Sequence, residues 1–149
     1  MKPDKMISLV LGDESGDGHQ KTENFNILSN LDKNDLLKAY KAATEKLGFN
    51  FIDEICEEYE NRLCPKENLD ILIKHGLKID DLGLTVKYDL KEATDAFEND
   101  DSNGYSFWTE SYVNVFLFIV KLGNKDFQIK ILKGDLNPTI NIGGYGLFE

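Results

Sequence analysis

The stretch from Tyr112 to Lys133 constrains this chain more than any other. Val113, Val115, Phe116, Leu117, Phe118, Ile119 and Val120 make a nearly unbroken apolar run, which Gly123, Asn124, Lys125 and Asp126 interrupt. Phe127, Ile129 and Ile131 follow, alternating with Gln128 and Lys130. An apolar run, a Gly/Asn/Asp break and an alternating run together predict a β-hairpin. Its first arm is apolar on both faces and is expected at the centre of a covered sheet, while the second shows one face to water. Trp108, Tyr112, Val115, Phe116 and Ile119 also fit helical spacing. The β-branched and aromatic content favours the strand.

The rest of the chain supplies both kinds of element. Ile7, Leu9 and Leu11 predict a first strand, and Phe25 with Ile27 a second, separated by a loop containing Gly12 to Gly18. Asp32 is placed to cap a helix whose apolar face is Leu36, Leu37, Tyr40, Ala43 and Leu47, with Leu31 and Leu36 as a hydrophobic staple. Gly48 stops it. Asn50 caps a second helix through about Leu63, facing inward with Ile52, Ile55, Cys56, Tyr59 and Leu63. Pro65 ends that helix and suits the opening of a third, which carries Leu69, Leu72 and Ile73 and stops at Gly76.

Leu84, Val86 and Tyr88 alternate as a short strand. Asp89 with Glu92 then starts a helix whose apolar residues are Leu90, Ala93 and Phe97. Ile140 and Ile142 predict a last strand. Helices cluster in the middle of the chain and strands at its two ends. The expected fold is therefore α+β, a single domain over residues 1–149, with an antiparallel sheet carrying three to four helices on one face.

Composition narrows the function classes. The net charge is −10, which argues against holding the phosphate backbone of nucleic acid or an anionic membrane surface. No run of about 18 apolar residues offers a membrane span. The few apolar residues from Met6 to Leu11 are too short for the core of an export signal. The two cysteines, Cys56 and Cys64, do not make a disulfide framework and read as reduced thiols. The expectation is a cytoplasmic protein with no membrane association.

The charge is unevenly distributed. Residues 1–50 carry a net −1, residues 51–101 a net −9 and residues 102–149 none. Asp53, Glu54, Glu57, Glu58 and Glu60 fall on the side of the second predicted helix away from its apolar face. The pairs 53/57 and 54/58 are like-charged four residues apart, and each costs a helix about 0.2–0.5 kcal/mol. Asp80, Asp81, Asp100 and Asp101 extend the acidic region. A solvated face accounts for such a pattern, and so does a docking surface for a cationic partner.

Chemical motifs are weaker. Asp13, Glu14, Asp17 and His19 lie within one short loop and could ligate a hard cation or serve a metal-dependent hydrolase. A polar turn accounts for the same residues. Asn99, Asp101, Asn103, Gly104 and Glu110 match positions 1, 3, 5, 6 and 12 of a calcium-binding loop over 99–110, although Asn99 replaces the usual Asp and Ser106 the usual apolar residue. His75 beside Gly76 reads as a helix-terminal residue, and no nucleophile motif is present. These observations point to a small acidic binding protein without cofactor, occluding a basic protein. Its most concrete form is an immunity protein that neutralises a toxin such as a nuclease. The alternatives are the Asp13–His19 hydrolase and the calcium module.

Overall fold

The computed structural model describes residues 2–11, 23–51, 66–84, 87–98, 102–132 and 139–142. It is an α+β fold. The strands are β1 (Lys5–Leu11), β2 (Glu23–Ser29), β3 (Ile129–Leu132) and β4 (Thr139–Ile142). The helices are α1 (Lys33–Leu47), α2 (Lys66–Lys74), α3 (Leu90–Glu98) and α4 (Ser102–Gly123), and Ile79–Leu82 forms one 3-10 turn.

The stretch at the centre of the fold is a helix, which corrects the expected hairpin. α4 runs for 22 residues and contains the whole apolar run. Ser111, Val113, Val115, Phe116, Leu117, Ile119 and Val120 are all buried. The cause is burial on nearly every side, since α4 packs against α1, α3, the 3-10 turn, β1 and β4. A helix covered all round loses its amphipathic stripe, and its sequence then looks like a central strand. No helix among the described residues is long and apolar enough to cross a membrane.

The Gly/Asn/Asp break is real but joins different partners. It ends α4 and leads into β3, which pairs antiparallel with β2 (Ser29 opposite Ile129, Ile27 opposite Ile131). β1 and β2 pair antiparallel, with Ile7 opposite Ile27 and Leu9 opposite Phe25. β4 adds to β1 in parallel, so one edge of the otherwise antiparallel sheet is mixed. The strand order is β3-β2-β1-β4. Ile7, Leu9 and Ile27 share one face and belong to the same buried cluster as the apolar residues of α1 and α4. Ile131 lies in their row, yet it is 53% exposed, because β3 is the outer strand there.

α1 forms where its caps dictate. Asp32 accepts a hydrogen bond from the Asp35 amide at 2.8 Å. Gly48 takes a left-handed φ of 84°, and its amide donates to the Thr44 carbonyl at 2.9 Å. Leu31, Leu36, Leu37, Tyr40, Ala43 and Leu47 are all buried, as the spacing predicts. Beyond Phe51 the second predicted helix lies outside the described residues. Of the predicted strand at Leu84–Tyr88, Leu84, Lys87 and Tyr88 lie in no strand, and residues 85–86 lie outside the described residues.

Asn30 fastens the end of β2 to the turn between α4 and β3. Its Nδ2 donates to the Asp126 carbonyl at 2.7 Å, and its Oδ1 accepts from the Gln128 amide at 2.7 Å. Lys121 Nζ donates to the Phe127 carbonyl at 2.8 Å on the other side of the same turn. Buried amides that satisfy both their donor and acceptor fix chain geometry as well as contributing stability.

Asn26 is the opposite case. It sits in register with Ser8 and Leu132 on the sheet face away from Ile27, fully buried, and among the described residues neither its Oδ1 nor its Nδ2 has a hydrogen-bond partner. An unmet buried amide opposes folding, so Asn26→Val is expected to stabilise the protein by about 1 kcal/mol. A rise in the midpoint of chemical unfolding is the readout. A fall would mean that the amide has a partner on folding.

Candidate acidic docking surface

The described part of the acidic region is built from α2, the 3-10 turn and α3. α2 begins at Lys66, directly after Pro65. Leu69 and Leu72 are buried while Glu67 and Asp70 face solvent, as helical spacing requires. The helix closes through the Leu77 amide, which donates to the Leu72 carbonyl at 3.0 Å. His75 Nδ1 lies 2.9 Å from the Ile71 carbonyl oxygen, a helix-terminal role that matches the expectation for this residue.

The 3-10 turn holds Asp80 and Asp81 outward by pinning its apolar end. Leu82 is fully buried, and its carbonyl accepts from Asn114 Nδ2 of α4 at 2.7 Å. Gly83 follows with φ 68°, and a Cβ there would stand 2.8 Å from the same Asn114 nitrogen. A side chain at position 83 is therefore strained by the left-handed backbone and displaces the Asn114 amide that holds Leu82.

α3 is capped by Asp89, whose Oδ1 accepts from the Glu92 amide at 2.8 Å. Ala93 and Thr94 are buried, and α3 packs against α2 and α4. Leu90, one of the apolar residues of this helix, is 55% exposed. It stands at the first helical position, before the helix has turned toward its neighbours. Asp89, Glu92 and Asp95 lie close to it in sequence, and all three are exposed.

Two lysines answer these carboxylates. Lys87 Nζ lies 3.9 Å from Asp80, which places the 3-10 turn beside the chain leading into α3. Both side chains are more than four-fifths exposed, and such a pair contributes little. Lys91 Nζ donates to Asp95 at 2.9 Å. That hydrogen bond, then the charges of Asp95, Asp89 and Glu92, hold the Lys91 ammonium above its ordinary pKa of 10.5. A raised lysine favours the folded state below its ordinary pKa and loses that effect only as pH climbs past the raised value. This pair therefore has no pH dependence near neutrality. The direction of the shift reports first the hydrogen bond to Asp95.

Of the sequence candidates, the structure places Asp80 and Asp81 together on the exposed side of one turn. Asp53, Glu54, Glu57, Glu58, Glu60, Asp100 and Asp101 lie outside the described residues, as do Asp13, Glu14, Asp17 and His19. Of the calcium-loop residues, Asn99 and Asp101 lie outside the described residues. Asn103, Gly104 and Glu110 belong to the helical backbone of α4, which begins at Ser102. A calcium loop needs the sharp turn at its sixth position and a free carbonyl at its seventh, and a helix supplies neither. Among the described residues no group of three or more His, Cys, Asp or Glu side chains could hold a metal ion.

Sequence reasoning missed Leu90, Glu92 and Asp95 as surface features. Asp89 and Glu92 read only as capping residues, and Leu90 only as an apolar residue of the helix. The signal was present in the sequence: Asp89, Glu92 and Asp95 are spaced three apart, so they flank one side of α3. Comparison with family models, with curated proteins and with solved structures finds no match.

Proposed function

We propose that this protein binds a basic protein and occludes it, and that its acidic middle region is the docking surface. The most concrete form is a cytoplasmic immunity protein that neutralises a toxin such as a nuclease. The observation that carries the reading is the placement of charge: residues 51–101 hold a net −9 of the total −10. Where that region is described, its carboxylates are held outward by buried anchors at Leu72, Leu82 and Ala93, and the exposed lysines answer them only weakly. Leu90 supports the reading as an exposed apolar residue next in sequence to exposed carboxylates. Occlusion needs shape and charge rather than a reacting group.

The test is affinity capture from the source cell with the wild-type chain and with Asp80→Lys/Asp81→Lys. Both aspartates are exposed, so the double variant is expected to fold normally. The expected result is one stoichiometric basic protein retained by the wild type and lost, or eluted at lower salt, with the variant. Capture of no basic protein, or equal retention by both, contradicts the proposal.

A further inference from the structure

We draw no further inference here: the strongest candidate, the fully buried carboxamide of Asn26 on the sheet face opposite to Ile27, has no hydrogen-bond partner among the described residues, and nothing there shows what covers it.

Discussion

Phe116→Ala is expected to cost about 3–5 kcal/mol of folding stability, the usual range for truncating a buried aromatic ring. Phe116 is fully buried in the middle of α4. Its ring stacks on Tyr40 of α1 with centroids 5.1 Å apart and planes 24° apart. Tyr40 is itself fully buried, and its hydroxyl donates to Asn50 Oδ1 at 2.6 Å. Truncation therefore removes ring burial, opens a cavity and loosens the contact between α1 and α4. Among the described residues, those two helices share the most extensive contact between helices. Urea unfolding followed by circular dichroism measures the loss. A cost under about 1 kcal/mol would mean that the site collapses freely, and α4 would not be the central packing element.

Gly123→Ala is expected to have the next largest effect, at or above the upper end of the about 1–3 kcal/mol typical of overpacking. Gly123 ends α4 where it crosses α1, and a Cβ built there overlaps the carbonyl oxygen of Ala39. Ala39 is buried within α1, so the clash is with backbone that side-chain rotation cannot relieve. One helix must move, and the movement propagates to the α4–β3 turn that Asn30 fastens. At roughly 2–4 °C per kcal/mol for a chain near this size, a cost of about 3 kcal/mol lowers the melting temperature by roughly 6–12 °C. An unchanged melting temperature would show that the helices separate at little cost.

These two residues also explain what the sequence did and did not disclose. Local chemistry was legible wherever a side chain acts on its own backbone. Asp32, Gly48 and Asp89 cap helices as their spacing predicts. The pairing of Ile7 with Ile27 follows from alternation. Long-range packing was not legible. The β-branched and aromatic residues of α4 report that it is enclosed, and enclosure is a property of its neighbours. Length was the usable clue, because α4 extends well past the usual five or six residues of a strand. The parallel pairing of β4 with β1 joins residues far apart in sequence, and no local pattern records it.

The candidate surface divides in the same way. Asp80 and Asp81 were visible as charge, and their outward orientation follows from Leu82, whose anchoring by Asn114 comes from a distant helix.

Electrostatic docking makes a kinetic prediction that simple surface solvation does not. With the captured basic protein in hand, stopped-flow association should be measured across a salt series for the wild type and for Glu57→Lys/Glu58→Lys. The wild type is expected to associate fast at low salt and to slow steeply as salt screens the attraction, and the variant to be slower with a flatter dependence. Superimposable rates and salt slopes for the two proteins would contradict the account.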